Sequence, residues 1–476
     1  MNATRVTKHT QQLLVIFASL GLVVGCLLTA SAESENAVGW RTDGTGEYPD
    51  ATPVVEWSPE KNVIWTTPMP SFGNSTPVIV GNRLFVCAEP STLVCVNLAD
   101  GEILWQRTNN MEDLPEAAEV PDMQQQHQRA AELRKEIGGA SAKLNQAKKD
   151  LQDSPDDTGL KTAVSEAQKN LAALVKELQP YNKAWYSLPA TDSVNGFSSA
   201  TPVSDGESVY VVFGTGMVVC YDLEGNRLWG RVVEKPTIVY GHAASPVIAG
   251  DKLLVHLLNL TAIDKATGET LWRTESKAGF GTPAVTRIGD TEVVITTQGD
   301  IVAVEDGTVL AKSVSSLTYC GPVVEDDVIY FIQHGGKAIK LPETVDEAGL
   351  AVETLWTTQP RKDRYYASPV VYEGLIYACT QAGCFSVIDA ATGEVVYEQM
   401  LKLGKGTCYP SVTLAGGLLF VSSDNDTTVV VKPGRMYQEV ARNKLEQFRA
   451  SPVFIGDRFY IHGLKNLLCL GETDVE

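Results

Sequence analysis

One phrase recurs eight times along this chain: a small residue, proline, an apolar pair, a short polar turn and a β-rich run. It reads STPVIVGNRLFV at Ser75–Val86, ATPVSDGESVYV at Ala200–Val211, SPVIAGDKLLV at Ser245–Val255 and TPAVTRIGDTEVVI at Thr282–Ile295. It continues as GPVVEDDVIYF at Gly321–Phe331, SPVVYEGLIYA at Ser368–Ala378, YPSVTLAGGLLFV at Tyr409–Val421 and SPVFIGDRFYI at Ser451–Ile461. Alternation with β-branched and aromatic residues predicts a pair of strands per copy, with Gly, Asp and Asn in the turn. Proline opens the first strand, where a missing N–H does least harm.

A second phrase follows most copies: an alternating strand, a polar turn and a strand ending in Trp. LTAIDKATGETLW at Leu260–Trp272 is the clearest case, and related runs end at Trp105, Trp229 and Tyr397. The fifth copy reaches Trp356 after a longer loop. The fourth and seventh copies are degenerate, with Val309-Leu310 and Met436-Tyr437 where the Trp strand is expected. Each unit then has four strands. Anchored on Pro77, Pro202, Pro246, Pro283, Pro322, Pro369, Pro410 and Pro452, the spacings are 125, 44, 37, 39, 47, 41 and 42 residues. Four-stranded units of about 40–45 residues are propeller blades. The eighth copy lacks a fourth strand, and Asn62–Trp65 near the N-terminus is a spare one that would close the ring.

These phrases resemble the PQQ-like (pyrroloquinoline-quinone) propeller repeat family, whose blade ends in Ala-x-Asp-x-x-Thr-Gly-x-x-x-Trp. Ala262, Asp264, Thr267, Gly268 and Trp272 match it position for position. The resemblance extends to its bacterial envelope members, among them the propeller lipoproteins of the outer-membrane β-barrel assembly machinery. It implies that Trp65, Trp105, Trp229, Trp272 and Trp356 dock on neighbouring blades. The fold expected is all-β: an eight-bladed propeller of four-stranded blades, closed by an N-terminal strand, with an inserted antiparallel helical hairpin.

That insertion explains the long first spacing. In Pro121–Asp153 the apolar residues Leu133, Ile137, Ala140, Leu144, Ala147 and Leu151 step by 4, 3, 4, 3, 4. In Asp156–Gln179 the residues Leu160, Val164, Ala167, Leu171, Leu174 and Leu178 do the same. These are heptad seams of a coiled-coil hairpin. Ser154-Pro155-Asp156-Asp157 breaks the run and supplies a helix cap, and Pro180 ends it. A seam of Leu, Ile, Val and Ala is satisfied by its own mate.

The N-terminus carries Arg5 and Lys8, an apolar run from Leu13 to Leu28, and Ala30-Ser31-Ala32. This is the pattern of a secretory signal with an A-x-A cleavage site. Val23–Cys26 also resembles a lipobox, which makes Cys26 the candidate lipidation residue. The domain reading is 1–32 signal peptide, 33–111 closing strand and blade 1, 112–184 helical hairpin, and 185–476 blades 2–8. The net charge of −19 argues against nucleic acid or anionic lipid as partners.

Cysteine usage fits the repeat. Cys95, Cys220 and Cys469 hold the place of Ala262, and Cys320 and Cys408 fall two residues before the repeat proline. All five read as small buried residues. Cys379 and Cys384 flank Thr380–Gly383 and could face each other in a disulfide. The histidines are scattered with no H-x-H, HExxH or CxxC spacing, so no metal site is expected.

Loops before each proline should ring the channel on one face. They carry Tyr240, His242, Phe280, Tyr319, Arg361, Arg364, Tyr365, Tyr366, Tyr409, Phe448 and Arg449, a set suited to partner binding or to plugging the channel. The expected role is a non-catalytic, protein-binding scaffold of the cell envelope, exported to the periplasm or held as an outer-membrane lipoprotein, with the 112–184 arm or the channel rim meeting its partner. No cofactor is expected. The alternatives are a carbohydrate- or peptide-binding propeller, and a PQQ-dependent quinoprotein dehydrogenase. For the latter, the resemblance would require calcium held by Glu and Asn, an Asp base and a stacking Trp, often beside a vicinal Cys-Cys that this chain lacks.

Overall fold

The computed structural model describes residues 38–114, 123–181, 188–345 and 349–473. The signal segment and Cys26 lie outside them. Eight antiparallel sheets form the blades. Blade 3 shows the unit, with strands Val247–Ala249, Lys252–His256, Leu260–Asp264 and Thr270–Thr274. One line of opposed residues crosses it from channel to rim: Val247, Leu254, Ala262 and Trp272. A register shift between Ala262 and Ile263 bends the outer strand, as a β-bulge does. The same line puts Cys95 opposite Trp105 and Cys220 opposite Trp229.

The ring closes as the repeat count requires. Strand Val63–Pro68 pairs with Asn466–Leu470, setting Trp65 opposite Cys469 in blade 8. Closure completes the fourth strand of blade 8 and leaves only the short edges of separate blades.

Blade 7 departs from the sequence reading in two ways. Its outer strand is Glu439–Lys444, so Met436-Tyr437 lie before it, and Ala441 stands opposite Val430 in the Trp position. Its inner strand Thr413–Ala415 pairs Thr413 with Phe420, as Val247 pairs with Leu254. Ser411 therefore takes the place of Ser245, and Pro410 sits two residues ahead of the repeat proline. Cys408 moves with it, out of the small-residue site. Trp57 fills the gap left by Ala441: it stacks on Phe420 at 6.1 Å and meets the edge of Phe459 at 5.0 Å, between blades 7 and 8.

The insertion is a pair of helices, α1 Met123–Asp153 and α2 Thr158–Leu178. Asp157 caps α2 by accepting from the Leu160 N–H at 3.0 Å. Arg129 near the start of α1 pairs with Glu177 near the end of α2 at 2.6 Å, so the helices run antiparallel. The two heptad seams are the shielded positions, and most other positions are exposed. At 1.5 Å per residue α1 is about 45 Å long. No described helix is long and apolar enough to cross a membrane.

Candidate functional site

The blades are locked twice, outside and inside. Outside, each indole N–H reaches a backbone carbonyl of the next blade: Trp65 to Leu98 and Trp105 to Leu223 at 3.2 Å, and Trp229 to Lys265, Trp272 to Val304 and Trp356 to Ala390 at 2.9 Å. The Trp229 ring lies so close to Gly268 (φ +75°) that a Cβ there would sit 2.7 Å from it. Glycine is thus required by both contact and backbone.

Inside, the residue before the repeat proline, with Ser411 in that place in blade 7, builds a belt around the channel. The Thr76 N–H donates to the Thr201 hydroxyl, Thr201 to Ser245, and Ser245 to Thr282, at 3.0–3.1 Å. Gly321 donates to Ser368, Ser368 to Ser411, and Ser411 to Ser451, at 3.0–3.2 Å. The hydroxyl is missing only at Gly321. There the Trp40 ring comes so close that a Cβ would lie 3.3 Å from it and 2.6 Å from the Thr282 carbonyl oxygen.

Trp40 arrives on the N-terminal segment, which enters the channel and pairs Glu47–Tyr48 in parallel with the inner strand of blade 7. Arg41 anchors it. Its Nη2 donates to the carbonyls of Thr45 (2.6 Å), Pro369 (2.7 Å) and Val412 (3.1 Å), and burial lowers its pKa to about 10. Trp40 lines both a cavity of about 360 Å³ on one side and one of about 560 Å³ on the other. The channel is thereby divided, and the larger cavity is a bowl with Trp40 in its floor.

The bowl's wall is an aromatic arc across blades 4 to 7. Phe280 and Tyr319 stack with centroids 5.7 Å apart, Tyr319 and Tyr366 meet edge to face at 4.6 Å, and Tyr366 and Tyr409 follow at 5.0 Å. Arg364 lies over Tyr319 at 6.0 Å and donates to the Tyr366 hydroxyl at 3.1 Å, a bond that raises its pKa and keeps it charged. Burial, ahead of the nearby Tyr366 and Asp424, raises the Tyr409 pKa, so that phenol stays neutral. Arg449 Nη1 donates to the Val194 carbonyl at 3.1 Å.

The opposite wall is polar and comes from the chain returning from the helices. Asn74 Nδ2 holds the Val194 carbonyl at 2.7 Å, and Asn195 Nδ2 donates to the Tyr240 carbonyl at 3.0 Å. Glu89 fixes this return by accepting from the Phe197 and Ser198 N–H groups and the Ser198 hydroxyl, each at 2.6 Å.

Of the rim residues singled out from sequence, Tyr240, Phe280, Tyr319, Arg364, Tyr366, Tyr409 and Arg449 line the bowl. Four are not among its lining residues. His242 is buried, bonded at 2.9 Å to the Ala244 carbonyl. Tyr365 is buried and donates to the Arg361 carbonyl at 2.8 Å, Arg361 itself is exposed, and Phe448 is in the core between blades. Sequence reasoning missed Trp40, Asn74 and Asn195. The signal for Trp40 was Gly321, the one belt position without a hydroxyl.

Cys379 and Cys384, which the sequence left open as a pair, do not face each other. Cys379 is opposite Phe385 and Cys384 opposite Met400, and all eight described cysteines are free thiols.

A family model described as the outer membrane protein assembly factor BamB matches residues 48–136 and 187–320. No curated protein matches. Among solved structures, a quinohemoprotein alcohol dehydrogenase from Comamonas testosteroni aligns with TM-score 0.56 and 11% identity, over 93% of this chain and 81% of that one. A europium-containing methanol dehydrogenase aligns with TM-score 0.52 and 12% identity, over 91% of both chains. BamB from Moraxella catarrhalis gives TM-score 0.44 and 15% identity, over 58% of this chain and 84% of that one. The dehydrogenase alignments establish a shared fold. The repeat, the blade locks and the family model, which covers just under half of the chain, support the PQQ-like β-propeller family.

A quinone with its calcium needs a cluster of oxygen ligands. Among the described residues no three His, Cys, Asp or Glu side chains converge to hold a metal ion. Asp192 is the one carboxylate lining the bowl, and its Oδ1 is engaged by the Val194 and Asn195 N–H groups. One carboxylate falls short of the Glu ligand and Asp base that such a site would use.

Proposed function

We propose that this chain is an exported, non-catalytic scaffold of the cell envelope that holds a segment of a partner protein in the bowl, in the assembly of outer-membrane proteins. The observation that carries the reading is the four-ring arc with Arg364 and Arg449 beside it, in a cavity of about 560 Å³. Rigid aromatic rings and guanidinium groups dominate binding hot spots because they bury area at little entropic cost. The family match supports a protein partner and an envelope location. Export begins with the 1–32 signal, and Cys26 is the residue for a lipid anchor.

The test is capture of a urea-unfolded outer-membrane β-barrel polypeptide, diluted onto immobilised mature protein. Saturable retention, absent for a folded soluble control, is expected, and no retention overturns the reading. A titration with PQQ and Ca²⁺, read by absorbance and thermal shift, should show no saturable binding. A saturable signal with a raised melting temperature would replace the scaffold with a dehydrogenase.

A further inference from the structure

Cys379 and Cys408 stand apart from the other buried cysteines. Their sulfur atoms are 3.8 Å apart, and both side chains are shielded from solvent, at 0% and 1% exposure. Cys379 ends the second strand of blade 6, Leu375–Cys379, and Cys408 lies in the connection into blade 7. The Cys408 N–H donates to the Gln381 carbonyl at 3.1 Å, which clamps this connection to the turn just beyond Cys379. On its other side the Thr407 N–H donates to Asp424 at 2.8 Å. Both backbones are thus held while the two sulfurs face each other across the seam.

That seam is one of those whose outer lock lacks an indole. Tyr397, not Trp, stands opposite Val387 in blade 6, and its hydroxyl is buried without a partner. Arg435 of blade 7 pairs instead with Asp389. A covalent tie across this junction would substitute for the missing indole.

We propose that Cys379 and Cys408 are a disulfide-forming pair that joins blade 6 to blade 7. The sulfurs must approach from 3.8 Å to the bonding distance of about 2.05 Å, within reach of side-chain rotation. The two thiols give up two protons and two electrons to a disulfide oxidant, which leaves as two thiols. The neighbouring Cys408 sulfur and burial hold the Cys379 thiol well above its ordinary pKa, so exchange in the folded chain is slow. The bond forms during folding, before the seam closes. Its formation in the cell rests on the export proposed above, whereas the geometry does not.

The full mature chain, refolded in a mixture of oxidised and reduced glutathione, is alkylated, digested with trypsin and mapped by mass spectrometry. The expected product links peptide 365–402 to peptide 406–435. It persists in Cys384→Ser and is lost in Cys408→Ser. Reduction should lower the melting temperature of the wild type by a few degrees and leave that of Cys408→Ser unchanged. Full alkylation of all cysteines in the refolded wild type, or loss of the linked peptide in Cys384→Ser, overturns the proposal. Chain taken from cells separates the two claims: a pair that links in glutathione but is fully reduced in the cell contradicts export and leaves the pairing intact.

Discussion

His242 and His462 each bond one ring nitrogen to a backbone carbonyl, of Ala244 and Ser75 respectively, and bury the other without a partner. Burial lowers both pKa values from 6.5 to about 4. Between those limits the unfolded chain takes up protons that the folded chain refuses, so stability falls as pH drops from about 6.5 towards 4. His462→Gln should remove one such term. Between pH 7 and pH 4.5 it should lose about 2 kcal/mol less stability than the wild type in urea unfolding. Equal losses would show that this imidazole is not held neutral. Gly321→Ser would restore the belt hydroxyl but drive it against Trp40, and such overpacking costs about 1–3 kcal/mol. The same measurement reads it. The residue scale is also where the sequence misled about the site. Arg364, Tyr365 and Tyr366 are consecutive, and successive side chains of an extended segment point to opposite sides. Arg364 and Tyr366 reach the bowl while Tyr365 turns into the core. Sequence can say that such a loop is aromatic, but not which ring faces the channel.

The docking tryptophans act at the scale of the element. Trp272→Phe removes the N–H bond to Val304 and part of the ring packed between blades, and should cost about 1–3 kcal/mol. This is measurable as a lower urea midpoint at an unchanged m-value. Trp105, Trp229 and Trp272 were legible in the sequence because each follows a similar turn and faces a small residue, Cys95, Cys220 or Ala262, and Trp65 faces Cys469 in the same way. Blade 7 was not legible. Its outer strand has Ala441 in the Trp position and receives Trp57 from 384 residues earlier in the chain. No local pattern reports a contact of that sequence separation. YPSV likewise mimics the repeat phrase while standing two residues out of register. The helices were legible as a self-satisfied pair, since their apolar residues fall on one seam each. Replacing residues 123–181 with a short Gly/Ser linker should therefore shift the propeller's melting temperature by no more than a few degrees while abolishing the helical far-UV signal. A collapse of the melt would mean that the helices hold the ring.

At the scale of the whole molecule, the N-terminal segment does three things in sequence. Trp40 and Arg41 divide the channel, Trp57 fills the seam between blades 7 and 8, and Val63–Pro68 closes the ring. Only the last of these could be counted from repeats. What the closed ring provides is a rigid platform on which loops from blades 4 to 7 hold an aromatic arc against a polar wall built by the return from the helices. The proposed function places the partner in the bowl and not on the arm. The direct test is the affinity of a fluorescently labelled, urea-unfolded outer-membrane β-barrel polypeptide for the mature chain, measured by anisotropy. The wild type, a Tyr366→Ala/Arg364→Gln variant and the variant lacking residues 123–181 would be compared. At least a tenfold weakening, about 1.4 kcal/mol, in the bowl variant alone is the predicted result. Wild-type affinity in the bowl variant would contradict it.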